Sequence, residues 1–354
     1  MTGYERALRT LRFEQTDCVA TWGGWIVSAE FFEYVTGRPF WDDPLGVACQ
    51  AYQKLETDIV LRRYYLPNSP EEWRSHVDPA EFAARTAYQS PEDVVGYIAS
   101  LPPVESLAAD FDFDGVLAEE RSGYAELQDR LGGEIFCLPH AQCAKFVWFM
   151  DFGFENFLMA MSLYRTEIRR LFEHAAETAR LHNTALAELV RTGEMPPFFF
   201  TGHDICGTRG PMASPALLRE VYFPYLKRAF APLVEVGAEL IWHCDGYIPP
   251  ILDDLAACGA SGFQGFQEET GFSIGQVAAQ RVRGGRKPIV LAGLSIDKVL
   301  PLAEPAEVRR QIDRIVSEAG HGGGLAIGTA NTAGPDCRNE NLEMLYTYTH
   351  QCRT

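Results

Sequence analysis

Short apolar runs recur along the chain, each closed by polar or glycine-rich residues and most followed by an amphipathic stretch of helical period. The runs are "CVATWGGWIV" (18–27), "TDIVLRRYY" (57–65), "GEIFCLPHA" (133–141), "PFFFTGHDI" (197–205), "AELIWHCDG" (238–246), "SGFQGFQEE" (261–269), "PIVLAGLSID" (288–297) and "GGLAIGTANT" (323–332). Near-continuous apolar runs of this length belong to strands buried on both faces, the habit of parallel sheets covered by helices. Eight of them alternating with helices predict an α/β fold, a (β/α)8 TIM barrel with an N-terminal extension, spanning residues 1–354 as one domain, with an open doubly wound sheet as the alternative. The clearest helix is "SPALLREVYFPYLKRAFAPLVEVG", with Ser214 as its N-cap, Pro215 in the first turn and Gly237 as its stop. Pro224 inside it should bend it, because proline removes a backbone donor and clashes with the preceding turn.

The stretch of about 66–130 is too long for a plain strand-to-helix connection. It predicts an insertion between the second and third strands, carrying a short helix over "SPEDVVGYIASL" and placed to act as a lid or an oligomer contact.

Composition narrows the partners. The chain has 354 residues, 48 acidic against 31 basic, a formal net charge of −17 and 47% hydrophobic content. Such a charge repels nucleic acid and anionic membrane alike, and the basic clusters "LRR" (61–63) and "QRVRGGRK" (280–287) are short. With no signal-peptide pattern and no apolar run of about 18 residues, the expectation is a soluble, cytoplasmic protein with no membrane partner. Nine scattered cysteines without a C-x-x-C pair argue against a disulfide framework or a zinc ribbon.

In a barrel of this type, chemistry gathers at the carboxyl ends of the strands. Those ends carry Trp22 and Trp25, Arg62 and Arg63, His140, then His203 with Asp204 and His243 with Cys244 and Asp245. Gln267, Glu268 and Glu269 follow, then Ser295 and Asp297, and finally Thr329, Asn331 and Thr332. Residues two apart on an extended segment share a face, so His243 and Asp245 can address one ion while Cys244 turns into the packing. Zinc accepts imidazole and carboxylate, and further ligands are available from Glu268 and from Asn331 or Cys337. The same pair equally suits a proton shuttle in which Asp245 or Asp204 orients His243 or His203.

The segments "SPALLREVYFPYLKRAFAPLVEVGAELIWHCDGYIPPILDDLAACGASGFQGFQEETG", "IVLAGLSID" and "GPDCRNENLEML" resemble the uroporphyrinogen decarboxylase superfamily, closely over residues 140–350 and loosely before them. That superfamily holds porphyrinogen decarboxylases, methylcobamide:coenzyme M methyltransferases and corrinoid-dependent O-demethylases, and the resemblance implies the barrel. The porphyrinogen decarboxylases carry an Arg-containing "RQAGRY"-type segment, where this chain reads "ATWGGWIVSAEFFEY" with two Trp and no Arg. A polyanionic tetrapyrrole suits that segment poorly. The methylcobamide methyltransferases hold zinc through a His-x-Cys pair and a later Cys. Here His243 matches, Asp245 stands at the first Cys, Asn331 near the second, and Cys337 six residues beyond.

The departure favours a harder metal set, namely His243, Asp245 and Glu268 with Cys337 in reach. It also favours the third branch, a corrinoid-dependent methyltransferase moving a methyl group from a small methoxylated aromatic to the cobalamin of a separate corrinoid protein. On that reading His203, Asp204, His243 and Glu268 are catalytic, while Trp22, Trp25, His140, Tyr247 and Asn331 line the substrate. Zinc is the expected metal and a homodimer the expected assembly. No D-x-H-x-x-G segment occurs, so cobalamin has to come from the partner. A decarboxylase of the uroporphyrinogen type and a non-catalytic barrel are the alternatives.

Overall fold

The computed structural model describes residues 1–62, 66, 69 and 88–353. Arg63 and the stretch 70–87 of the expected insertion lie outside the described residues.

Eight short strands form the frame: β1 (Ala20–Thr21), β2 (Ile59–Leu61), β3 (Phe136–Leu138), β4 (Phe198–Gly202), β5 (Glu239–His243), β6 (Ala260–Gln264), β7 (Ile289–Leu294) and β8 (Leu325–Thr329). Seven fall inside one of the apolar runs, and β6 begins one residue before its run. Parallel pairing runs β4–β5–β6–β7–β8–β1, and β2 pairs in parallel with β3. Two parallel bridges join these pieces, Trp22 to Ile59 and His140 to Phe200. The Gly23 N–H donates to the Ile59 carbonyl at 2.7 Å, and the Ala141 N–H to that of Phe200 at 2.8 Å. The ring is thereby complete, and the chain is a (β/α)8 barrel.

Alternation along the strands separates two apolar clusters. Trp22, Ile59, Leu61, Phe136, Leu138, Phe198, Phe200, Ile241, Ile289 and Leu291 fill the barrel, closed from below by Ala7 and Leu11 of the first helix, Gly3–Leu11. Phe199, Leu240, Trp242, Cys244, Phe263 and Val290 face outward into the shell of helices. Each fully buried Phe of the interior contributes about 1.5–3 kcal/mol of apolar burial. The period of two also fixes the chemistry: if Ile241 points inward, so does His243, and Trp242 and Cys244 do not.

Below the barrel, fully buried Asp58 gathers three groups. Arg6 reaches its Oδ1 at 2.5 Å, while the Thr21 N–H at 2.7 Å and His350 Nε2 at 3.0 Å reach its Oδ2. One carboxylate thus ties the first helix, the first strand and the last helix, Asn339–Thr349, to the closed end of the barrel.

The helical reading of 214–237 needs revision. Helix Pro215–Val221 stops at Tyr222, whose backbone leaves the helical region, and a second helix, Phe223–Glu235, begins there. Pro224 sits in the first turn of the second helix, where its missing N–H costs nothing, so it separates two helices instead of bending one. In the insertion, helix Pro91–Ser100 has the expected Ser90 cap, reciprocated by Asp93. It is followed by the longer helix Phe113–Arg130. Arg62, at the end of β2, ion-pairs with buried Glu120 of that helix, which also receives His182 Nε2 at 3.1 Å. No described helix is long and apolar enough to cross a membrane.

Candidate functional site

At the carboxyl end of β5 the inward period delivers His243 and then Asp245, and the segment after β4 delivers Asp204 beside them. One donor atom from each lies within 4.8 Å of the others. His243 Nε2 is 3.4 Å from Asp204 Oδ1, and that same oxygen accepts the backbone N–H of Asp245 at 2.9 Å. Asn331, from the segment after β8, donates its side-chain amide to Asp245 Oδ2. The other carboxylate oxygen of Asp245, Oδ1, is buried and has no hydrogen-bond partner among the described residues.

The ring of His243 is held on every side. Trp25 meets it edge-on with centroids 4.7 Å apart, and Phe200 lies nearly parallel at 6.0 Å. Its Nδ1 is 2.6 Å from Oε1 of Gln264, the residue in register with it on β6. Behind the ring the backbone comes close: Gly265 has φ +95°, and a Cβ there would lie 2.6 Å from the Cys244 carbonyl oxygen and 3.0 Å from His243 Nδ1. Gly246, at φ +83°, lets the chain turn out of β5 past Gly207.

Electrostatics follow from this packing. Burial disfavours the charged ring of His243, but the hydrogen bond to Asp204 and the charges of Asp245 and Asp204 prevail, raising it to about 9. Burial raises the carboxyl of Asp245 to about 6, with the Asp204 charge adding to it against the pull of His243 and the Asn331 amide. For Asp204, burial is outweighed by His243, and its carboxyl is lowered. His203 is taken down to about 4 by burial, the neighbouring Asp204 countering only in part. The pocket therefore concentrates negative charge around one imidazole.

Of the residues expected from sequence, His203, Asp204, His243, Asp245, Asn331 and Trp25 meet at this mouth. His140 joins its edge through the bridge to Phe200, their rings 6.2 Å apart. Tyr247 lies further out, edge-on to Phe272 at 6.0 Å. Trp22 is fully buried in the barrel, its Nε1 donating to the Ala292 carbonyl at 2.7 Å, so it forms the floor and not the mouth. Glu268 stands outside the cluster. Its strand ends at Gln264, four residues before it, and both its oxygens are taken by Arg314, at 3.0 and 2.5 Å. Cys337 is buried apart from the cluster, its thiol raised to about 12 by burial. Cys244 faces the helical shell, accepting the Ile205 N–H at 3.4 Å.

The arrangement replaces Glu268 and Cys337 by Asp204 as the third donor. A point exists within about 2.8 Å of three atoms no more than 4.8 Å apart, so a modest closure brings all three to the 2.0–2.2 Å of a zinc site. One imidazole nitrogen and two carboxylate oxygens suit that ion. Gln264 was missed by sequence reasoning. Its only signal was a polar residue inside an apolar run just before a glycine.

The sequence profile of the uroporphyrinogen decarboxylase (URO-D) family matches residues 150–352, more than half of the 354-residue chain. Among solved structures, a methyltransferase from Methanosarcina mazei is similar with a TM-score of 0.65, covering 99% of this chain and 99% of its own. Their sequences are 19% identical, and the likeness is one of fold. No curated protein sequence matches.

Proposed function

The chain belongs to the uroporphyrinogen decarboxylase family, and on that premise we propose that it is a methyltransferase. It takes the methyl group of a small methoxylated aromatic and passes it to the corrinoid of a separate protein docked over the barrel mouth. The observation that carries the reading is that Asp204, His243 and Asp245 each bring a donor atom within 4.8 Å of the others, with one oxygen of Asp245, Oδ1, buried and unpartnered among the described residues. A buried carboxylate oxygen without a partner is costly, and a bound cation or the oxygen-bearing end of a substrate relieves it.

In the reaction the methyl carbon–oxygen bond breaks and a carbon–cobalt bond forms, the oxygen keeping the electron pair. A phenolate departs poorly unless that charge is met. Zinc held by His243, Asp245 and Asp204 would act as a Lewis acid toward the donor's oxygen. Trp25 and Phe200, whose rings already flank His243, offer faces for an aromatic substrate. Asn331 keeps Asp245 turned toward the cluster. His203, whose charged form burial disfavours, stays neutral beside Asp204.

Decarboxylation of a polycarboxylate tetrapyrrole fits this mouth less well. Two carboxylates and an indole stand where many carboxylates would have to be received.

The test is turnover of a panel of methoxylated benzoates with free reduced cobalamin as acceptor. Release of the phenol with methylation of cobalamin, lost in His243→Ala, supports the reading. No methyl transfer from any of them, with consumption of uroporphyrinogen instead, overturns it.

A further inference from the structure

Gln264 is 1% exposed and in register with His243 on the neighbouring strand. Its Nε2 donates to the Ala330 carbonyl at 3.1 Å, and Ala330 is itself anchored through its N–H to the Leu294 carbonyl at 3.0 Å. A carbonyl oxygen only accepts, so the end of the amide facing Ala330 is the NH2 group. The other end, 2.6 Å from His243 Nδ1, is therefore the amide oxygen. An amide oxygen also only accepts, so Nδ1 carries the hydrogen. Asp204 Oδ1, at 3.4 Å from Nε2, is the more distant of the two acceptors the ring meets, so the neutral ring keeps its hydrogen on Nδ1, the form less favoured in water.

We propose that Gln264, oriented by the Ala330 carbonyl, is a positioning residue that fixes His243 as the Nδ1–H tautomer and thereby reserves Nε2 for the mouth. The hydrogen-bond logic stands on geometry alone. Only its use, presenting Nε2 to a metal, rests on the function proposed above. Residue 330 thus holds the imidazole through Gln264, and residue 331 holds the carboxylate of Asp245 directly. One dipeptide after β8 supports two of the three donors, each through a carboxamide. Outer hydrogen bonds of this kind set which imidazole nitrogen is free to bind and how the ring is aimed.

The experiment is nitrogen NMR on the histidine-labelled, metal-free protein at about pH 10, where the ring is neutral, with His243 assigned by its loss in His243→Gln. The expected spectrum has Nδ1 protonated and Nε2 bare. Gln264→Met, nearly the same shape without the acceptor, should shift the ring toward Nε2–H. Gln264→Glu, which keeps an acceptor facing Nδ1, should restore the wild-type pattern. Zinc affinity is the second readout: about a 10- to 100-fold loss in Gln264→Met and recovery of most of it in Gln264→Glu. An Nε2–H ring in the wild type overturns the proposal even if the Met variant fails to fold. So does unchanged zinc affinity in a folded Gln264→Met. An Nδ1–H ring in a protein that binds no zinc upholds the positioning role and removes the metal reading.

Discussion

Asn331 gives its side-chain amide to Oδ2 of Asp245, while Oδ1 of the same carboxylate is buried and bare. The amide fixes the carboxylate's direction, and the direction leaves the other oxygen without a partner among the described residues. Asn331→Leu should release it. The expected result is zinc affinity weaker by about 10- to 100-fold with the fold intact, read by calorimetric titration and circular dichroism. An unchanged affinity would remove Asn331 from the site's support.

The charge balance around His243 makes a prediction for the metal-free protein. Its pKa is raised, to about 9 from an ordinary 6.5, so its contribution to stability is complete below pH 6.5 and is lost as pH rises through 9. Asp245, raised to about 6 from 3.8, acts in the same sense at lower pH. Urea unfolding in the presence of chelator should show stability falling between pH 6.5 and 9 by on the order of a few kcal/mol. In His243→Gln that fall should flatten. A wild-type stability that holds level or rises across this window contradicts the assignment of charges.

Glu268 and Cys337 should be separable from the cluster by substitution. Glu268→Gln breaks a partly exposed pair with Arg314, a contribution of about 1 kcal/mol or less, and should leave zinc content unchanged. Cys337→Ala, buried outside the cluster, should likewise keep the protein's metal. Loss of zinc in either would return that residue to the ligand set.

Gly265 is a backbone position where the site leaves no room for a side chain. At φ +95°, with the Cys244 carbonyl 2.6 Å from any added Cβ, Gly265→Ala should cost on the order of 1–3 kcal/mol in stability. It should also displace the His243 ring and weaken metal binding, whereas Gly37→Ala, whose added Cβ meets nothing within 4 Å, should leave binding alone.

The barrel was legible because strands buried on both faces leave an unbroken apolar signature: seven of the eight runs contain their strand, and the eighth misses only its first residue, Ala260. His243, Cys244 and Asp245 were legible for the same reason: a period of two assigns their faces without any tertiary information. Glu268 was misplaced because an apolar run does not mark its own last paired residue. β6 ends at Gln264, and the three residues that follow carry Glu268 around to Arg314. Asp204 was recognised as chemistry but not as the third donor, since its approach depends on the path taken after β4. Gln264 escaped because its role is set by register with β5 and by a carbonyl 66 residues away. Pro224 looked like a bend and is a boundary, a distinction made by Tyr222 leaving the helical region.

The most direct test of the account is the metal content of the protein purified without chelators, measured by elemental analysis beside His243→Ala, Asp245→Ala and Asp204→Ala. The account predicts about one zinc per chain in the wild type and its loss in each variant. A wild-type protein that holds no zinc and takes none up, or one whose zinc survives all three substitutions, would contradict it.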